Sequence, residues 1–281
     1  MNDKNNFIKL KFLGTAAATG VPSQFCECDF CSKVRKLKGK NLRRRAGIAI
    51  DHEYRIDLSP DAYTQSEVFD EPLTLVKHLL ITHTHRDHFD PAQLYLRRAK
   101  FIDKPAQPLF IYGPRDVISS VDALGIKLTD ANIKFKILKP YKTYDIGAMR
   151  VTPVETFHDS RRQCFNYLLE YKNKRIFIGF DGKYFLKPNK VEAILTGKTL
   201  DLAIFEYTMG EMDTKQAATH KCLTDLYKDI DFFRKTGGIT DKTHIYLTHF
   251  SHYTNKTHDE LEQQFAPEHI AIAYDGLELR I

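Results

Sequence analysis

The residues in this chain most capable of chemistry are His83-x-His85-x-Asp87-His88. At the end of a strand, positions i and i+2 point the same way, so His83 and His85 can grip one cation. Once the chain turns, Asp87 and His88 can face a second cation beside the first. Imidazole and carboxylate donors suit Zn or Mn and need no thiolate. Two metals require more ligands, and His158, Asp181 and His249 supply candidates, each just past a strand read from the hydropathy pattern. A carboxylate such as Asp181 can bridge two divalent ions about 3.5–4 Å apart.

A second cluster lies nearer the N-terminus. Of five cysteines, Cys26, Cys28 and Cys31 fall within six residues, whereas Cys164 and Cys222 stand alone. Cys26 and Cys28 are too close for an easy disulfide, so the cluster reads as metal-binding. Cys164 and Cys222 read as ordinary buried thiols.

The elements that must position these residues alternate along the chain. Strands are expected at 8–13, 46–50, 54–58, 75–81, 109–112, 135–138, 150–155, 165–170, 175–180, 202–205 and 244–248. Helices are expected to begin near Pro60 and after Asp90-Pro91, and at 116–123, 188–195, 222–235 and 257–265. The segment Ile270–Ile281 reads as a hairpin around Asp275-Gly276. No repeat or interdomain linker interrupts the pattern, so residues 1–281 are expected to form a single domain. Pattern alone leaves two packed sheets and one doubly wound sheet equally open.

Composition narrows the class. Hydrophobic residues make up 42% and charged residues 28%, which suits a packed α/β protein rather than a disordered one. No apolar run reaches membrane-spanning length, and Met1 to Asn6 lacks the apolar stretch of a leader, so a cytoplasmic location with no membrane partner is expected. The net charge of +6 suits an anionic substrate. Much of the excess lies between Lys33 and Arg45, and the reading favoured is a solvated surface arm rather than a phosphate-facing patch.

The order His-x-His-x-Asp-His, His, Asp, His resembles the metallo-β-lactamase superfamily, and Asp57 matches that superfamily's buried Asp near the metals. The resemblance implies an αββα sandwich with the site along one edge between the sheets. A nearer likeness is to the PhnP-like cyclic-phosphate phosphodiesterases. It is carried by Leu13-Gly14-Thr15, Gly20-Val21-Pro22, the cysteine cluster, Tyr112-Gly113-Pro114, Leu247-Thr248-His249-Phe250-Ser251-His252 and Tyr274-Asp275-Gly276-Leu277-Glu278. That family's structural zinc implies Cys26, Cys28, Cys31 and His252 as ligands here, a closed tetrahedral shell. Two departures stand out. Ala16-Ala17-Ala18 replaces a Gly-rich turn, and Lys183 follows Asp181-Gly182 where a small hydroxyl residue is more usual. Lys183 is expected to point to solvent.

The expected activity is hydrolysis of a small anionic phosphodiester, cyclic or nucleotide-derived, with two divalent metals in the active site and one structural zinc. Asp87, His220 and Glu206 are the expected catalytic residues. An alkoxide leaves poorly without a proton, and His220 oriented by Glu206 is a suitable donor. The competing readings are a thioester, lactone or β-lactam hydrolase on the same scaffold, a tRNA 3′-processing nuclease, and a zinc-stabilised nucleic-acid-binding module. No long tRNA-binding insert is visible, and nucleic acid is the less favoured partner. A homodimer is compatible with the sequence.

Overall fold

A computed structural model of the chain describes residues 7–281. The segment Met1 to Asn6, read above for a leader, lies outside the described residues.

The chain forms two mixed sheets packed face to face. The first contains β1 (Lys9–Gly14), β2 (Gly47–Ile50), β3 (Tyr54–Ile56), β4 (His78–Leu80), β5 (Leu109–Gly113) and β6 (Ile133–Ile137). The second contains β7 (Tyr144–Ile146), β8 (Met149–Phe157), β9 (Cys164–Tyr171), β10 (Lys174–Gly179), β11 (Tyr184–Phe185), β12 (Leu202–Glu206), β13 (His244–Thr248) and β14 (Ile270–Ile272). The last strand, β15 (Glu278–Arg280), returns to the first sheet beside β1. Strand order is β15-β1-β2-β3-β4-β5-β6 in one sheet and β11-β8-β9-β10-β12-β13-β14 in the other, with β7 paired to β8.

Period-two alternation divides each strand between two cores. Phe12, Ile48, Ile56, Leu80, Val151, Tyr167, Ile176, Ile178 and Ile204 fill the layer between the sheets. Their neighbours Leu79, Ile81 and Ile111 face outward beneath α2 (Ala62–Phe69) and α3 (Arg115–Asp122). Leu168, Phe177, Ala203, Phe205 and Leu247 face the opposite way. They lie beneath α4 (Pro188–Leu195), α5 (Leu223–Lys235) and α6 (His258–Phe265). The outcome is a four-layer αββα sandwich, one of the two architectures the pattern had left open.

Capping residues set several boundaries. Pro188 occupies the first turn of α4, and Thr257 with Glu260 forms a capping box at α6.

Three expectations about the elements are corrected. The C-terminus is not a hairpin: β14 lies parallel to β13, while β15 lies antiparallel to β1. The Asp275-Gly276 turn connects the two sheets because Asp275 accepts from Arg44 N (2.6 Å) and Thr15 Oγ1 (2.8 Å), and Gly276 N donates to Phe12 O. The segment after Asp90-Pro91 winds as a 3₁₀-helix over Pro91–Arg97, not an α-helix. Only His78–Leu80 of the expected strand 75–81 is extended, because Leu75 and Val76 close a turn on Pro72 and Leu73.

The basic stretch is solvated over most of its length, with Lys33, Arg35, Lys36, Lys38 and Lys40 exposed, but it begins in α1 (Asp29–Leu37), capped by the Cys28 sulfur, and ends in clamps. Arg43 is buried against Thr15, Ala273 O and the Phe250 ring, while Arg45 pairs with Asp61. The charge there ties the loop between β1 and β2 to the rest of the fold.

Candidate metal centre

Parallel pairing puts strand C-termini on one edge. β3 and β4 are parallel, and so are β10, β12 and β13. Asp57, His83, Asp181, Glu206 and His249 therefore emerge along the same rim between the sheets. The two sheets meet there directly, since Phe165 N donates to Thr82 O and the Tyr167 hydroxyl donates to Ile81 O (2.6 Å). Asp57 and His249 turn the chain sharply with left-handed backbone, φ 62° and 59°. Non-glycine residues rarely adopt this conformation, and it is held only where surrounding contacts over-determine it.

The side chains form two overlapping groups whose ligand atoms all lie within 4.8 Å: His83, His85, His158 and Asp181, and Asp87, His88, Asp181 and His249. Asp181 divides its oxygens between them. Its Oδ2 lies 3.1 Å from His158 Nε2 and 3.6 Å from His83 Nε2. Its Oδ1 lies 2.8 Å from His249 Nε2 and 3.4 Å from His88 Nε2.

The tautomers follow from the other nitrogen of each ring. Thr82 Oγ1 has a single proton, and its contact with the Asp57 carboxylate (2.9 Å) takes it, so His83 Nδ1 must donate to Thr82 (3.0 Å). His88 Nδ1 donates to Asp57 Oδ2 (2.6 Å). Thr208 Oγ1 gives its proton to Glu206 Oε2 (2.5 Å), so His249 Nδ1 donates to Thr208 (2.9 Å). His158 Nδ1 donates to Thr219 O (3.1 Å). His85 is reversed: its Nε2 donates to Asp159 Oδ2 (3.0 Å) and its Nδ1 faces the centre.

With the outward nitrogens protonated, the inward ones present lone pairs to one another. His83 Nε2 and His85 Nδ1 are 3.0 Å apart, His158 Nε2 and His85 Nδ1 2.9 Å, and His88 Nε2 and His249 Nε2 3.1 Å. Lone pairs at such distances repel unless a proton or cation lies among them. Asp181 Oδ1 is buried and accepts no hydrogen bond. These donors fit a pair of divalent cations, and fixing each imidazole through its outer nitrogen is how metal-ligating histidines are oriented. The field agrees: burial opposes the charge on His88, but Asp181 and Asp87 raise it well above its ordinary range. Burial likewise opposes ionisation of Asp181, but the surrounding imidazoles hold it well below the carboxylate range.

His220 sits at the outer side of this cluster, its ring 4.5 Å from His158 and 5.5 Å from His249. Its Nδ1 is 2.9 Å from Glu206 Oε2. Glu206 is itself held by Gly182 N (2.6 Å). Burial pulls His220 down, but Glu206 and Asp181 outweigh it and raise the imidazole to about 9. Asp181, Glu206, His220 and His249 also fall within 4.8 Å of one another.

The cysteine cluster closes in space with His252: Cys26, Cys28, Cys31 and His252 lie within 4.8 Å, with Cys31 Sγ 3.7 Å from His252 Nδ1. The segment from His249 to His252 thus touches both clusters. Phe250 pairs with the turn at Thr15 and Ala17, so Ala16 and Ala17 pack beneath the rim while Ala18 is exposed. Cys164 and Cys222 are buried and free.

Lys183 does not reach solvent. It forms an ion pair with Asp225 (2.5 Å) and donates to Thr214 O (2.9 Å). Sequence reasoning brought out His83, His85, Asp87, His88, His158, Asp181, His249, Glu206 and His220, all of which converge here. It missed Thr82, Thr208, Thr219 and Asp159, which orient the imidazoles. Asp159 directly follows His158, and adjacency was the one available signal.

A family model described as a beta-lactamase superfamily domain matches residues 52–250. Comparison with curated proteins finds no match. Among solved structures, the chain is similar to a new diphosphatase from the PhnP family, at 20% identity and TM-score 0.74, covering 98% of this chain and 97% of that one. It is similar to zinc-bound PqqB from Methylobacterium extorquens, at 19% identity and TM-score 0.68, covering 97% and 100%. Human tRNase Z, short form, aligns at 18% identity and TM-score 0.63, covering 96% and 98%. With the family model spanning most of its length and the two-sheet fold and His/Asp centre in place, the chain belongs to the metallo-β-lactamase superfamily of hydrolases.

Proposed function

We propose that the chain is a dinuclear metal-dependent phosphodiesterase acting on small cyclic or nucleotide-derived phosphodiesters. The observation that carries this reading is the division of the Asp181 oxygens between two imidazole groups, with the His220–Glu206 pair beside them. His83, His85 and His158 would hold one cation, Asp87, His88 and His249 the other, and Asp181 would bridge them. The donors suit Zn or Mn. Two bound divalent cations supply an activated water and neutralise charge on the phosphoryl oxygens.

The remaining work falls to the chain. Asp57, Thr82, Thr208, Thr219 and Asp159 fix the ring orientations. Glu206 takes the His220 Nδ1 proton in a hydrogen bond and leaves Nε2 to protonate the departing alkoxide. The names of the similar structures, a PhnP-family diphosphatase and a tRNase Z, support phosphate-ester chemistry over thioester or lactam hydrolysis. Among the described residues, no helix is long and apolar enough to cross a membrane.

The test is a panel on metal-loaded protein: bis-p-nitrophenyl phosphate, a nucleoside cyclic phosphate, a thioester and a β-lactam. Turnover of the first two alone supports the reading, and turnover of only the thioester or lactam overturns it. Asp181→Ala is expected to lose metal by elemental analysis together with activity. Full metal content and activity in that variant would remove the bridging role.

Cys26, Cys28, Cys31 and His252 are proposed as a structural zinc site. Three thiolates and an imidazole complete a tetrahedral shell with no open position. Cys28→Ser is expected to lose about one zinc per chain and to lower Tm while active-site metal stays. Unchanged melting and zinc content would refute the site.

A further inference from the structure

Among the described residues, Arg55 is a buried cation that no carboxylate pairs with directly. Period-two alternation in β3 sends Tyr54 and Ile56 into the layer between the sheets, so Arg55 faces the outer side, opposite Leu79 of β4. Arg55 is 1% exposed. Its Nε donates to Asp57 O (3.1 Å) and its Nη2 to Gln65 Oε1 (2.5 Å) of α2. Its Nη1 is buried and has no hydrogen-bond partner. Burial pulls the guanidinium down to about 10, against the fields of Glu71 and Asp57. Both of those carboxylates are engaged elsewhere. Glu71 lies against Lys11 (3.1 Å) and His52 (2.7 Å), and Asp57 against His88 and Thr82.

There is room for a partner beside it. A cavity of about 60 Å³ lies between β3–β5 and the 3₁₀ segment Pro91–Arg97. It is lined by Arg55, Arg97 and Gln93 and otherwise by aliphatic side chains such as Leu79, Leu94 and Leu109. Arg97 donates to Ala131 O and Gln107 O, and no carboxylate among the described residues pairs with it. A third acid, Asp90, accepts from Gln93 Nε2 (3.1 Å) and stands outside the lining. The wall thus carries two guanidiniums, one amide and no acid.

A buried charge is costly unless it is paired, and a buried N–H without an acceptor adds its own desolvation. Water would accept from Nη1, but it brings no counter-charge, and the aliphatic wall offers it few other partners. A short carboxylate meets both demands. Its head matches Nη1 in charge and in hydrogen bonding, and its methyl end meets the leucines. The volume sets the size: a water-sized atom needs about 10–15 Å³ of such space, so roughly four fit.

We propose that this cavity binds a short-chain monocarboxylate of the size of acetate, with its carboxylate against Arg55 Nη1. The site is separate from the metal centre and touches it through one bond. Arg55 Nε holds the Asp57 carbonyl at the left-handed turn that brings the Asp57 carboxylate to His88. The proposal is independent of the phosphodiesterase reading.

Equilibrium dialysis of radiolabelled acetate against metal-loaded protein tests it, with phosphate in excess to occupy the metal centre. Wild type is expected to bind about one acetate per chain. Acetamide, of the same shape without the charge, should bind at least about tenfold more weakly, the reach of a hydrogen bond to a charged group. Leu94→Phe fills the cavity and leaves Arg55 in place, so it should abolish acetate binding while metal content and circular dichroism stay as in wild type. Arg55→Gln should weaken binding by about tenfold or more. If either variant fails to fold, the comparison of acetate with acetamide on wild type still decides. Wild type without stoichiometric acetate, equal affinity for acetamide, or undiminished binding in folded Leu94→Phe overturns the site. Acetate that phosphate displaces belongs to the metal centre, and that result overturns it as well.

Discussion

Asp57 and Glu206 head two hydrogen-bond relays built on the same plan. Each carboxylate is buried, follows or ends a strand, and accepts a backbone N–H, from Thr82 and Gly182 respectively. Each takes the proton of a threonine hydroxyl, Thr82 or Thr208, and that threonine receives Nδ1–H of a histidine, His83 or His249. Each also receives Nδ1–H of a second histidine directly, His88 or His220. They differ in where the second ring looks. His88 Nε2 faces Asp181 and His249 within the centre, whereas His220 stands outside it and is 21% exposed. On the proposed reading, one relay would aim two electron pairs at the metal centre, and the other would aim one and hold one proton donor.

The electrostatics follow the same division. Burial pushes Asp57 above the usual carboxylate range despite His88 and Thr82. Burial pushes Glu206 the same way, but His220 and Lys221 overcome it and bring it to about 2. A carboxylate that must hold an imidazolium needs to stay ionised, and Glu206 does. Against its burial, Glu206 and Asp181 raise His220 to about 9, and cations held at the centre would oppose that charge.

The largest effect expected from breaking this comparison is at His220. His220→Ala should slow alkyl phosphodiesters by roughly 10²–10⁴-fold with metal content retained. Esters of p-nitrophenol should lose far less, because that leaving group departs without a proton. Equal losses on both series would return His220 to a positioning role and erase the contrast with His88.

A second break lies behind Glu206. Lys183 and Asp225 pin the turn that carries Gly182, and their side chains are 10% and 8% exposed. Lys183→Met removes the nearer of the two cations beside Asp225, leaving Lys228 at 3.7 Å, and should lower stability by about 1.5–3 kcal/mol, read by denaturant unfolding. Acid titration gives the sign. Burial opposes ionisation of Asp225, but Lys183, Cys222 and Thr214 hold it at about 2, below its ordinary 3.8. A depressed carboxylate stabilises the fold above 3.8 and loses that contribution as pH falls toward 2. The variant should lose acid dependence in that window. An unchanged profile would show that the pair does not carry it.

The smallest effect is the most discriminating. Thr82→Val and Thr208→Val each remove one link, and an orienting partner of a ligand is worth about 10–100-fold in metal affinity or activity. Thr82→Val should appear wholly as weakened metal binding in a chelator competition. Thr208→Val should also shift the alkaline limb of the pH–rate profile, because Glu206 loses a donor beside His220. Identical behaviour of the two variants would mean that the relays are equivalent after all.

The sequence by itself determined the chemistry. Ligand types are legible because only His, Asp, Glu and Cys can hold such cations, and His83-x-His85-x-Asp87-His88 packs four of them into six positions. Strand ends were legible too, since His158, Asp181 and His249 follow apolar runs, and period-two alternation anticipated the strands that became two cores. Hydrogen-bond partners far apart in sequence were decided only by the tertiary structure. Threonine is common, and nothing local marks Thr82 or Thr208 as carriers of an imidazole proton until Asp57 arrives beneath Thr82 and His249 beside Thr208. The charges at Arg43 and Lys183 read as solvated because long basic side chains usually are, and their partners, Ala273 O and Asp225, lie 230 and 42 residues away. The C-terminal Asp-Gly turn has hairpin composition, but Arg44 N and Thr15 claim Asp275, and the chain crosses from one sheet to the other. Residue type and local period are carried by neighbouring positions, whereas register between sheets and the pairing of buried polar groups depend on which distant segments the cores bring together.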